Sequence, residues 1–130
     1  MSQAAAPLPD AISGLVVDDE PLVVEMLQAM LAAEAGIDVV ATAPNGRIAT
    51  RLAAELFPDV ILMDLSLPVM DGIAATWEIC KRNANASVLI LTGATTPVDI
   101  NQARKAGAVA YVTKDRIATD LVKEIRRLGV

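Results

Sequence analysis

The sequence predicts a doubly wound α/β domain, a five-stranded parallel sheet with helices on both faces. Three observations carry that expectation. Five short apolar runs alternate with five stretches whose apolar residues recur at helical spacing. The strand-like runs are apolar at consecutive positions, as in strands buried on both faces. The connections are short, which favours a parallel sheet with right-handed crossovers.

Ile12 to Val17 reads as the first strand, ending at Asp18-Asp19. Glu20-Pro21 opens a helix, since proline is tolerated in a first turn. Its apolar face is Val23, Met26, Leu27, Met30 and Leu31, and Gly36 stops it. Asp38 to Ala43 reads as the second strand. Asn45-Gly46 starts a helix with Ile48, Leu52 and Leu56 along one side, and Pro58 ends it. Val60 to Met63 delivers Asp64 into a loop containing Pro68 and Gly72. Ile73, Thr76, Ile79 and Cys80 mark a third helix, and Trp77 is expected to pack in its core. Ser87 to Leu91 closes on Thr92-Gly93, and Pro97 to Ala106 is a helix ended by Gly107. Ala108 to Val112 is the fifth strand and leads to Thr113-Lys114; the last helix turns Ile117, Leu121, Val122, Ile125 and Leu128 inward.

Composition bounds the function. A chain of 130 residues makes one domain, and with 54% hydrophobic but 2% aromatic residues its core must be built from Ala, Val, Leu and Ile. A net charge of -5 argues against a basic nucleic-acid face. The lone cysteine, Cys80, excludes an internal disulfide and suits a reducing compartment. With no histidine and a single cysteine, a zinc site is not expected. Residues 1–10 carry no basic residue and no long apolar core, so they read as a frayed tail rather than a signal peptide. No apolar run reaches membrane-spanning length. The expectation is a cytoplasmic domain over residues 11–130 that makes no membrane contact.

In a parallel sheet, ligands bind at the carboxyl ends of the strands. Here those ends carry Asp18-Asp19, Asp64, Thr92 and Lys114. The first strand-to-helix turn would hold a Gly-rich fingerprint in a dinucleotide-binding fold, but Asp-Asp-Glu-Pro repels pyrophosphate and invites a cation. Carboxylates converging in one crevice repel one another, and hard oxygen ligands without His or Cys point to Mg²⁺. A carboxylate is also a competent nucleophile toward phosphorus, while a hydroxyl and an ammonium suit phosphoryl oxygens. Taken singly, each group has a plainer reading: a helix cap, a turn, a solvated lysine. The set, in this order at four strand ends, is what is specific.

These residues resemble the receiver domain of bacterial two-component response regulators. The resemblance runs from Ile12 to Leu128 and rests on Val16 to Pro21, Leu62 to Gly72, Leu91-Thr92-Gly93 and Gly107 to Lys114. It implies a flavodoxin-like fold with strand order 2-1-3-4-5. It implies that Asp64 accepts phosphate from a sensor histidine kinase. Asp19, Asp64 and the backbone carbonyl of Ser66 would hold Mg²⁺, with Asp18 acting largely through water. Thr92 and Lys114 would contact the phosphoryl group, and Tyr111, together with Thr92, would report the state. A homodimer forming on phosphorylation is a further expectation. Asp-Glu-Pro, Met-Asp-Leu-Ser and Lys-Asp resemble the NarL/FixJ branch, whose members usually add a C-terminal DNA-binding domain. The sequence ends at Val130, so DNA contact is expected only through an output domain outside it; a stand-alone receiver is the alternative.

Departures from the family pattern are few. Asp115 follows Lys114 where many receivers have proline, so that bond should be trans. Ile117 stands near the usual polar cap, so the last helix should start late. Two rival functions differ in kind. A haloacid-dehalogenase-like phosphatase wants a second acid two residues after its nucleophile, where Ser66 stands here. An interaction module that never takes phosphate would have no need of all five site residues.

Overall fold

The computed structural model describes residues 10–93 and 97–129. The expected tail therefore lies outside the described residues except for Asp10. In chain order the elements are β1 (Ile12–Val17), α1 (Pro21–Ala32), β2 (Ile37–Ala43), α2 (Gly46–Leu56), β3 (Val60–Asp64), α3 (Gly72–Arg82), β4 (Ser87–Thr92), α4 (Pro97–Ala106), β5 (Ala110–Thr113) and α5 (Val122–Leu128). The five strands form one sheet in the order β2-β1-β3-β4-β5. Every neighbouring pair is parallel. This is the flavodoxin-like arrangement that the resemblance implied.

Side chains alternate across a strand, so an unbroken apolar run feeds two cores. In β3, Ile61 and Met63 enter one core and Val60 and Leu62 the other. Alanines of α2 and α3 (Ala49, Ala53, Ala75) cover the first face. Larger residues of α1 and the C-terminal segment (Leu27, Leu31, Leu121, Ile125) cover the second. Each fully buried Leu or Ile contributes about 1.5–3 kcal/mol. The sheet is therefore held mainly by aliphatic side chains pressed on from both sides.

Several boundaries differ from expectation for identifiable reasons. β5 starts at Ala110, not Ala108, because residues 107 and 108 are used to end α4. Gly107 N–H donates to Arg104 C=O and Ala108 N–H to Ala103 C=O, at 3.0 Å each, a Schellman arrangement. β2 begins at Ile37, one residue early, paired with Ile12. β4 extends to Thr92, which faces Thr113 in register. α1 ends at Ala32, short of Gly36, and the chain turns into β2 from there.

Two expected inward side chains face out. The buried stripe of α1 is Leu27 and Leu31, with Val23 partly covered, and Met26 lies one position off it, exposed. The buried stripe of α3 is Gly72, Ala75, Thr76 and Ile79, which places Trp77 outside it. Trp77 is accordingly 53% exposed, not core. The last helix does start late. Lys114–Arg116 form a 3₁₀ turn and Ile117–Leu121 a π-helical turn before α5. Ile117, Leu121 and Ile125 face inward as expected. The described residues contain no cis peptide, in keeping with a trans bond after Lys114.

The acidic cleft at the strand ends

Each acidic side chain arrives at the cleft through its own local structure. The Asp18 N–H continues the β1 ladder, donating to Ala43 C=O at 3.1 Å. The residue is 2% exposed; Oδ1 accepts the Glu20 N–H at 2.9 Å, closing the turn that admits α1. Oδ2 faces the Lys114 Nζ at 3.4 Å. Asp19, the next residue, is exposed. Asp64 ends β3, buried and in register with Leu91 of β4.

The loop after Asp64 is folded back over the strand end. Gly72 N–H donates to Leu65 C=O at 3.0 Å. A Cβ on Gly72 would stand 2.1 Å from the Asp64 carbonyl oxygen, so only glycine permits the approach. Asp71 caps α3 by accepting the Ala74 N–H at 2.8 Å. On the other side, Gly46 N–H donates to Met70 C=O at 3.0 Å, where a Cβ would come within 2.3 Å of the same oxygen. Between the two anchors, Val69 takes a left-handed φ of 68° and Met70 N–H closes on Pro68 C=O at 2.7 Å. That is a tight three-residue turn on a β-branched residue, a costly conformation.

Asp18, Asp19 and Asp64 each offer a carboxylate oxygen, all within 4.8 Å of one another. Lys114, just past β5, stands 3.4 Å from Asp18 Oδ2 and 3.6 Å from Asp64 Oδ2. Burial pushes the Asp64 carboxyl above its ordinary pKa, and the Asp18 charge adds to that. Lys114 and the Ser66 N–H, at 3.3 Å on Asp64 Oδ1, pull it down without reversing the direction, and Asp19 adds to the rise. For Lys114, burial works to lower the ammonium pKa, but Asp64 and Asp18 outweigh it and the net direction is up. Three carboxylates against one ammonium leave two negative charges, and this donor set fits a hard divalent ion, which carboxylates bind readily.

The cleft has a volume of about 680 Å³ and brings together Asp19, Asp64, Ser66, Thr92 and Lys114. Asp18 lies beneath it. Tyr111 does not join them. It pairs with Ile90 in the sheet, is 45% exposed and lines a separate small depression against α4 with Ile100 and Ala103. The cleft also includes Glu20, Asp71 and Asp99, which the sequence reading did not assign to it. Glu20 stands in the turn that opens α1, Asp71 caps α3 and Asp99 lies in the first turn of α4.

A parallel, doubly wound sheet with an acid triad and a lysine at its carboxyl edge is an α/β fold of the flavodoxin-like class, with its crevice at the strand ends. Comparison narrows the class. The family model described as the response regulator receiver domain matches residues 15–126, and the chain belongs to that family. The chain is 38% identical over 112 residues to the transcriptional regulatory protein LiaR of Bacillus subtilis, covering 86% of this chain and 53% of LiaR. A LuxR-family two-component response regulator from Aurantimonas sp. SI85-9A1 superposes with a TM-score of 0.86 at 36% identity, covering 90% of this chain and 84% of that one. The signal receiver domain of NarL from Mycobacterium tuberculosis gives a TM-score of 0.88 at 29% identity, covering 93% and 98%. The chain spans about half the length of the curated relatives it matches. No helix among the described residues is long and apolar enough to cross a membrane.

Proposed function

We propose that this domain is a phosphorylation-dependent signalling receiver that takes a phosphoryl group onto Asp64 from the phosphohistidine of a sensor kinase. The supporting observation is the Lys114 ammonium 3.6 Å from Asp64, with Asp18 and Asp19 around it, in an open cleft at the strand ends. An Asp64 carboxylate oxygen attacks phosphorus and forms the new P–O bond. The N–P bond breaks, and its electron pair stays on the leaving imidazole, which takes up a proton. Lys114 and the Thr92 hydroxyl receive the phosphoryl oxygens.

Asp19 and Asp64 would hold Mg²⁺, together with the Ser66 carbonyl. Asp18, already engaged by Glu20 N–H and Lys114, would act through water. Bound there, the ion neutralises charge on the transferring oxygens. The chemistry is self-phosphorylation and its hydrolytic reversal, not turnover of a separate substrate. Phosphorylation draws Thr92 toward Asp64 and lets Tyr111 move inward from its exposed position, which remodels the face of α4, β5 and α5. That face then forms a homodimer, and the signal reaches DNA through an output domain outside this sequence. The similarity to LiaR, whose name marks it as a transcriptional regulator, supports that output. Such a receiver works in the cytoplasm beside its kinase.

Acetyl phosphate with Mg²⁺ should add one phosphate, located at Asp64 by mass spectrometry, and Asp64→Asn should take none. Full labelling of that variant would overturn the assignment.

A further inference from the structure

We infer that the α2–α3 face holds a binding site for a small organic anion with a compact apolar body, of which an aromatic carboxylate is the simplest form. A cavity of about 110 Å³ opens between the two helices. Its floor is Ile61 and Ile79, both closed to solvent, and Ala53, Ala54 and Ala86 stand around it. The alanine side chains are too short to fill the space, and Thr50 and Pro58 complete the wall. A compact apolar body that displaces solvent from these lining atoms gains dispersion contacts with them and buries its own apolar surface. Phe57 lines the opening, ending α2 in a left-handed conformation with φ 46° and its side chain largely exposed.

The rim supplies the charge. Arg82 and Asn83, at the end of α3, line the cavity, and Arg82 also lines an adjoining surface groove with Arg47 and Arg51. The acids in that groove are Glu55 and Glu78. Glu78 is already shared between Lys81 at 3.4 Å and Arg82 at 3.8 Å. Arg47 and Arg51 form no ion pair among the described residues. On a chain of net charge -5 this face is locally cationic. An apolar slot with guanidinium groups at its edge suits one carboxylate on one compact hydrophobic body. None of the residues lining the cavity or the groove lines the acidic cleft, so this site is separate from that of phosphoryl transfer.

The test is titration of the isotopically labelled domain with benzoate, and with benzyl alcohol as its uncharged counterpart, followed by two-dimensional NMR. Both should give saturable shifts at the amides of Ala53, Phe57, Ile79 and Ala86. Arg82→Gln should weaken benzoate by about three- to tenfold, the scale of one charge-assisted contact at a partly exposed site, and leave benzyl alcohol unchanged. Ala53→Leu fills the cavity and should abolish both. Ala54→Leu, at an exposed wall position, repeats the filling without entering the core. Shifts that fail to saturate, that survive both leucine variants, or that weaken equally for both probes in Arg82→Gln overturn the proposal.

Discussion

The Lys114 ammonium lies 3.6 Å from the Asp64 carboxylate, yet the Asp64 pKa is still raised. One cation shared with Asp18 does not offset burial and like charge. The folded domain therefore holds the Asp64 proton more tightly than the unfolded chain does. Stability then falls as pH rises from the unfolded pKa through the raised folded one, and ionised Asp64 is a net cost at neutral pH. Lys114 shifts in the same direction but titrates far above neutrality, so its charged form is a net gain there: its contribution is complete below the ordinary lysine pKa and is lost as pH rises through its raised value. Asp64→Asn should consequently melt higher than the parent at neutral pH without metal, and the difference should shrink on acidification. An unchanged or lower Tm at neutral pH would count against a strained site.

Asp18 and Asp19 should separate cleanly in a pair of measurements. Asp18 is buried and holds both Glu20 N–H and Lys114, so Asp18→Ala should cost about 1–3 kcal/mol in metal-free denaturant melts. Asp19 is exposed, so Asp19→Ala should leave metal-free stability near that of the parent. With Mg²⁺ at ten times its Kd, the parent should gain about 1.4 kcal/mol by linkage. Asp19→Ala should lose that gain. A full Mg²⁺ response in Asp19→Ala would reverse the assignment of the direct ligand.

Tyr111 and Thr92 belong to neighbouring strands, and the proposed switch requires that they be coupled. Thr92 is buried at the cleft while Tyr111 is exposed beside α4. Beryllofluoride with Mg²⁺ should shift the Tyr111 ring resonances inward, toward those of a buried phenol. Thr92→Ala should remove the shift while acetyl phosphate still labels Asp64. A Tyr111 environment that is the same in both states would send the signal through another element.

Val69 holds a left-handed φ of 68° while 71% exposed, so its side chain has little packing to lose. Asparagine tolerates that conformation better than a β-branched residue. Val69→Asn should raise stability by about 1 kcal/mol. Gly72→Ala should do the reverse, because its Cβ meets the Asp64 carbonyl at 2.1 Å and the loop must lift from the strand end. Its acetyl phosphate labelling should fall with its Tm. Normal labelling in Gly72→Ala would show that the loop position does not govern the acceptor.

Much of the site was legible in one dimension because each of its groups closes a strand. Asp18-Asp19, Asp64 and Thr92 each follow an apolar run directly and Lys114 follows its own one residue later, and parallel strands present those ends along one edge. The same logic recovered all five strands and the stripes Leu27–Leu31 and Ile117–Leu121–Ile125. It misplaced the start of β5, where helix capping by Gly107 and Ala108 competes with strand pairing for the same residues. It failed also for Trp77 and Met26, one position off their stripes, where helical spacing alone resolves the face only to about a third of a turn.

What the sequence by itself determined is the alternation of strand and helix, the doubly apolar strands and the identity of the groups at their carboxyl ends, since these depend on neighbours in the chain. Only the tertiary structure decided how those groups share their charge. Asp18 and Lys114 are 96 residues apart in the chain, and the hydrogen bond between them, which leaves Asp19 exposed beside it, exists only once β1, β3 and β5 lie in one sheet. The alanine-walled cavity between α2 and α3 belongs to the same category. A void is the space that two packed helices and a strand fail to fill, and no single segment of the chain encodes it.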